Sequence, residues 1–147
     1  MCPDTHVHNK LIKEVDKDKY LGDVISNDGK LDKNISSRVG KLIGVTAQIL
    51  NTLKELCLGQ HYFSVAMLLR QSIFLPVLLL NSESWVNLTR KNIEDLEIMD
   101  RNLLRKILGA PSKTPSAALY LELGCLQITY LIKYKRIMWS LQDVVST

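Results

Sequence analysis

The sequence is short of the groupings that carry chemistry. Its three cysteines, Cys2, Cys57 and Cys125, are far apart, odd in number and form no CxxC pair. That argues against a disulfide scaffold or a zinc ribbon and suits a reducing compartment. Cys57 and Cys125 lie among leucines, which predicts buried thiols. No two aspartates are adjacent, whereas metal-dependent nucleotide polymerisation needs clustered carboxylates around two cations about 4 Å apart. Asp16 and Asp18 alternate with lysines in what reads as a charged turn. No glycine-rich phosphate loop is present, and Ser36, Ser37, Ser82 and Ser84 lie in no nucleophile elbow. His61 reads as a helix-start residue rather than a base. Cys2, His6 and His8 crowd one terminal stretch without a fourth ligand nearby, so no metal site is expected. Neither catalysis nor a cofactor is expected.

Aromatic residues make up only 6% of the chain. Leu and Ile dominate the apolar set, which favours helix-on-helix packing over a β-sandwich. Charge is also modest, at +4, a mild hint of a polyanionic partner and well short of a strongly basic nucleic-acid binder. Residues 1–31 carry five basic and six acidic side chains, leaving 14 basic against nine acidic from Asp32 onward. Met1 to Asn9 has no apolar core and is no secretory signal, so an intracellular location, cytoplasmic or nuclear, is expected. The one long apolar run, Phe63 to Leu80, has Arg70 and Gln71 at its centre and is interrupted by Pro76. A spanning helix wants about 20 apolar residues, and a central arginine costs about 2.5 kcal/mol or more. A buried central helix is expected, with no membrane partner.

What is present is helical periodicity behind a β-like start. Val7, Leu11, Ile12 and Val15 precede the charged stretch Asp16 to Lys19. Tyr20 to Ser26 then reads as a strand stopped by Asn27-Asp28-Gly29, a cluster that tolerates positive φ. A lone hairpin is marginal in water and must dock on something. From Asp32, a plausible N-cap, Ile35, Val39, Leu42-Ile43, Thr46, Ile49-Leu50, Leu53 and Leu56 repeat at helical spacing until about Gly59. Gly40 and Gly44 inside this helix suggest close approach of another backbone. A second helix is expected from about Tyr62 to Leu75, with Pro76 kinking or ending it and Val77 to Leu80 as a further short piece. A third begins near Thr89 or Arg90 and ends at Gly109, with early carboxylates and late cations that complement its dipole. A short helix, Pro115–Leu123, closes at Gly124. The last runs from about Gln127 to Val145, with Ile128, Leu131, Ile132, Ile137, Met138, Leu141 and Val145 inward. The expected fold is mainly α: a bundle of four to five helices at 32–147 behind a short β-hairpin appendage at 1–31.

Binding is the chemistry that remains. Lys33, Ser37, Arg38 and Lys41 fall on one side of the first helix, away from its apolar stripe. Lys133 and Arg136 share a face of the last helix near Tyr130, with Lys135 to the side. Basic residues beside aromatics suit phosphate contact and base stacking, although such positions also serve as an ordinary solvated helix face.

Four segments carry a resemblance. Lys19-Tyr20-Leu21-Gly22, then Ile25, then Asn27-Asp28-Gly29 and the Ile35 to Val39 helix start resemble the palm-to-thumb junction of non-LTR, LINE-type retrotransposon reverse transcriptases. Asn81-Ser82-Glu83-Ser84-Trp85 is similar to that family's Tyr-Gly-Ser-Glu-Thr-Trp segment, with Leu80-Asn81 in place of Tyr-Gly. Leu103 to Gly109 resembles its Arg-Arg-Ile-Leu-Gly helix end, and Leu119 to Gly124 its glycine-closed leucine-rich helix. The match spans about Leu11 to Trp139. By this resemblance, Tyr20, Leu21 and Gly22 form a primer-grip-like strand. Lys33, Arg38 and Lys41 lie on a thumb helix facing a template–primer duplex. The Tyr-x-Asp-Asp loop belongs upstream of residue 1. The implied protein is a truncated, non-catalytic thumb-and-connection region that binds an RNA–DNA or RNA duplex weakly and non-specifically, or is an inert relic of one. The alternative is an interaction module that self-associates through residues 63–80, the stripe that would otherwise pack on a palm.

Overall fold

The structure is a computed structural model that describes residues 6–7, 10–11, 17–20, 23–26, 31–85 and 87–146. Two short antiparallel ribbons come first. β1 (His6–Val7) pairs with β2 (Lys10–Leu11), and β3 (Lys17–Tyr20) pairs with β4 (Asp23–Ser26). The second ribbon corrects the sequence reading of a charged turn followed by one strand. Lys17 to Tyr20 is itself a strand, paired antiparallel with Asp23 to Ser26. Asp18 and Lys19 are exposed there, and a ribbon open to water tolerates alternating charges. Of the primer-grip-like residues, Tyr20 ends β3, while Leu21 and Gly22 lie outside the described residues, as do Cys2, His8 and Asn27 to Gly29.

The rest is the expected mainly α bundle. The helices are α1 (Asp32–Glu55), a continuous second helix made of α2 (Tyr62–Leu69), a π-turn (Arg70–Phe74) and α3 (Leu75–Leu79), then α4 (Arg90–Leu108), α5 (Ser116–Leu123) and α6 (Ile128–Val145). Asp32 is the first helical residue of α1 rather than its cap. The Ile35 N–H reaches the Leu31 carbonyl at 2.9 Å, which starts the helix one residue earlier. The Asp32 carboxylate still favours the positive helix end. Thr89 does cap α4, its Oγ1 accepting from the Asn92 N–H at 3.2 Å. Gly109 and Gly124 close α4 and α5 with φ of 64° and 61°, conformations that other residues adopt only under strain.

Pro76 does not end the second helix. The turn before it is widened, with the Leu75 N–H donating to the Arg70 carbonyl five residues back. That wider turn makes room for a residue that has no N–H to give, and the chain stays helical to Leu79.

The core is built where α1 lies across α4 and the second helix. Ile35, Leu42, Ile49 and Leu53 of α1 meet Leu96, Leu103 and Ile107 of α4, Ala66, Phe74, Leu78 and Leu79 of the second helix, and Trp85. Ile128 and Ile132 of α6 join them, and α5 lies on α4 with Leu119 and Tyr120 buried. Three sequence expectations fail here. Ile137, Met138, Leu141 and Val145 are exposed rather than inward, because the partners of α6, chiefly α4 and the 82–84 turn, cover only its first half. Cys57 is exposed because it sits just past α1 in a left-handed turn, φ 45°. Gly40 and Gly44 approach no other backbone among the described residues: a Cβ on either would meet nothing of these within 4 Å.

Candidate nucleic-acid interface

The outer face of α1 is long, smooth and bare. Lys33, Ser37, Gly40, Gly44, Gln48 and Asn51, spaced by three or four, run along it, and Lys41 flanks them; all are exposed. From Lys33 to Lys54 the helix contains no carboxylate but four cations, Lys33, Arg38, Lys41 and Lys54. Small side chains and an unbroken sign of charge leave room and potential for a phosphate backbone.

Arg38 is not on that face. It is 4% exposed, its Nη1 donates to the Val77 carbonyl at 2.8 Å, and its guanidinium lies 5.1 Å from the Trp85 ring centre. The reason is rotational: Arg38 lies on the flank of α1 that turns toward α3, and a planar cation stacks well on an indole. Arg136 is likewise engaged, its Nη2 donating to the Trp85 carbonyl, and Lys135 donates to the Leu79 carbonyl at 3.0 Å beside Glu83 at 3.4 Å. These three cations clamp the 79–85 segment between α1 and α6. Of the basic residues singled out from sequence, Lys33, Lys41 and Lys133 remain exposed. Lys133 stands apart on α6, 5.8 Å from the Tyr130 ring.

Asn81 adopts φ 57° and ψ 19°. Asparagine is the residue after glycine that best tolerates this left-handed region. The Ser84 Oγ and N–H both donate to the Asn81 carbonyl, at 2.8 and 3.1 Å, closing the turn that presents Trp85.

A second polar knot went unseen in the sequence. The Arg70 Nε and Nη2 donate to Asp100 Oδ1 and Oδ2, both at 2.8 Å, with the two side chains only 2% and 0% exposed. The Tyr120 hydroxyl donates to Asp100 Oδ2 at 3.3 Å, and Arg70 Nη2 reaches the Leu126 carbonyl at 3.5 Å. Four elements are thereby tied at one point: the π-turn, α4, α5 and the lead-in to α6. Burial alone would weaken the Arg70 charge, but the hydrogen bond and charge of Asp100 more than offset it and hold the guanidinium above its usual pKa. Burial, reinforced by the charges of Asp100 and Glu97, pushes the Tyr120 phenol well up. Burial also raises the Cys125 thiol. The signal was present: Asp100 falls on the Ile93, Leu96, Leu103, Ile107 line of α4, where a carboxylate needs a partner, and Arg70 is the one cation inside the apolar run.

Among the described residues, no group of three or more His, Cys, Asp or Glu side chains could hold a metal ion. A cleft of about 460 Å³ on α4 is lined by Arg90, Glu94, Glu97, Arg101 and Thr129. Two arginines and two glutamates share its lining, and Glu97 accepts from the Thr129 hydroxyl, so it offers no clean anion site. No family model, curated protein or solved structure matches the chain.

Proposed function

We propose that this chain is a non-catalytic, thumb- and connection-like helical domain. It contacts an RNA–DNA or RNA duplex through the sugar-phosphate backbone along the outer face of α1. The observation that carries this reading is the carboxylate-free, small-residue face from Lys33 to Lys54, exposed along its length. The resemblance in four ordered segments supports it, as does the left-handed Asn81 at the glycine position of one of them. Contact is weak and indifferent to sequence, because exposed lysines on a smooth helix reach phosphates and not base edges.

The test is fluorescence anisotropy of a labelled duplex with the full chain. Binding with Kd of about 10⁻⁴–10⁻⁶ M should fall steeply between about 50 and 200 mM salt. Lys33→Glu with Lys41→Glu should weaken it tenfold or more, while Lys113→Glu, on an exposed loop, should have a much smaller effect. Equal affinity of the double variant and the loop control would sink the reading. Arg38→Glu is no probe of the face, since it would place a carboxylate against Trp85.

A second reading, self-association through residues 63–80, is favoured by Phe63, Leu68, Ile73 and Leu80, all exposed. A groove of about 300 Å³ lined by Phe63, Met67, Leu108 and Leu123 lies beside them. Loss of self-association in Leu68→Glu would support it.

A further inference from the structure

α6 is docked on one side only. Ile128 and Ile132 are buried, and Lys135 and Arg136 hold the same side to the body. The opposite side carries Tyr130, Tyr134, Ile137, Leu141 and Val144, each between 52 and 71% exposed. Their spacing is four, three, four, three. That is the 3.5-residue repeat by which a helix presents a continuous seam to a second helix. The α2–α3 stripe has no such pattern: Phe63, Leu68, Ile73 and Leu80 are five, five and seven apart, and the π-turn interrupts them.

We propose that this seam is a homodimer interface, in which α6 packs antiparallel on α6 of a second copy about a two-fold axis at Ile137. The order of side-chain sizes selects this partner. Antiparallel pairing sets Tyr130 against Val144, Tyr134 against Leu141 and Ile137 against itself. The outer layers then join large to small, the central one joins isoleucine to isoleucine, and the seam is its own complement. Parallel pairing would stack tyrosine on tyrosine twice and valine on valine. Helix dipoles also oppose favourably. The seam with flanking Met138 and Val145 offers roughly 500 Å² per copy, about 1,000 Å² in all, at the low end for a specific interface. An interface of this size fits a weak, reversible dimer. The seam lies on a different helix from the α1 face, so the dimer stands or falls independently of duplex binding.

Sedimentation equilibrium of the full chain over about 1–200 μM should show a monomer–dimer transition. Ile137→Glu, which puts two carboxylates on the axis but leaves the monomer core untouched, should raise Kd at least tenfold with an unchanged circular dichroism spectrum. Orientation is read in a background with the three native cysteines changed to serine. A mixture of Tyr130→Cys and Val144→Cys chains should cross-link on mild oxidation, and neither alone should do so. A monomer at the highest concentration overturns the proposal. So does cross-linking of Tyr130→Cys with itself, or a dimer that survives Ile137→Glu and dissolves in Leu68→Glu.

Discussion

At the residue scale, two buried arginines organise the interior, each in its own way. Arg38 is held by a carbonyl and an indole, so its loss removes a charged hydrogen bond and a stacking partner. Arg70 is neutralised by a carboxylate that is itself fully buried, so neither member can be removed alone. Asp100→Ala leaves a guanidinium stranded in the core and should cost about 3–5 kcal/mol in urea denaturation. The double variant Arg70→Met with Asp100→Leu, of similar volume, should recover most of that loss. A double variant as unstable as Asp100→Ala would mean that the Leu126 and Tyr120 contacts matter more than the pair. Tyr120 adds a pH dependence. Its folded pKa is raised above the ordinary value of 10, so the unfolded chain loses the phenolic proton first. Stability from this group is therefore complete below pH about 10 and declines as pH rises beyond it. Cys125, also raised, acts in the same direction from about pH 9. The melting temperature of the parent chain should thus fall more steeply between pH about 10 and 12 than that of Tyr120→Phe; parallel curves would refute the assignment.

At the element scale, α1 keeps two glycines where helix propensity would prefer almost anything else. Each costs about 1 kcal/mol relative to alanine, and an added methyl would touch nothing among the described residues. Gly40→Ala with Gly44→Ala should therefore raise stability by about 1–2 kcal/mol, read as a melting temperature several degrees higher. An unchanged or lowered value would point to a close contact that the monomer does not contain. How much of these elements the sequence disclosed follows from what local patterns encode. The caps and stops of α4 and α5 are local chemistry: Thr89, Gly109 and Gly124 stand where the pattern puts them. The pairing of Arg70, within the π-turn, with Asp100, 30 residues away, is not local, and no short-range pattern names the partner. The same limit misplaced Arg38: a helical wheel puts it at the edge of the polar face, and only the position of Trp85, 47 residues on, decides that the edge is buried. For α6, periodicity gave an apolar stripe but could not say that the body ends midway along it. The inward face expected for Ile137 and Leu141 became the outward seam.

At the scale of the whole molecule, the question is how the long apolar helix is accommodated. Residues Gly59–Ser84 form the one helical stretch, among those described, that is long and apolar enough to cross a membrane, although a core helix meets the same description. Its two sides differ. Ala66, Phe74, Leu78 and Leu79 are sealed against α1 and α4, while Phe63, Leu68, Ile73 and Leu80 face out. Insertion would draw the first set out of the only core it has. It would also separate Arg70 from Asp100, leaving a guanidinium at the bilayer centre at about 2.5 kcal/mol or more, and would strand a carboxylate on α4. The outward four alone amount to a stripe that can rest on a surface but cannot span. In a flotation assay with neutral phosphatidylcholine vesicles, the parent chain should therefore stay in the dense fraction, or float only in a form that high-pH carbonate releases. Arg70→Met with Asp100→Leu removes the electrostatic barrier but keeps the core, so it should behave the same way if packing holds the segment in place. Carbonate-resistant flotation of that variant alone would assign the role to the buried ion pair. The same behaviour in the parent chain would mean that the segment spans after all.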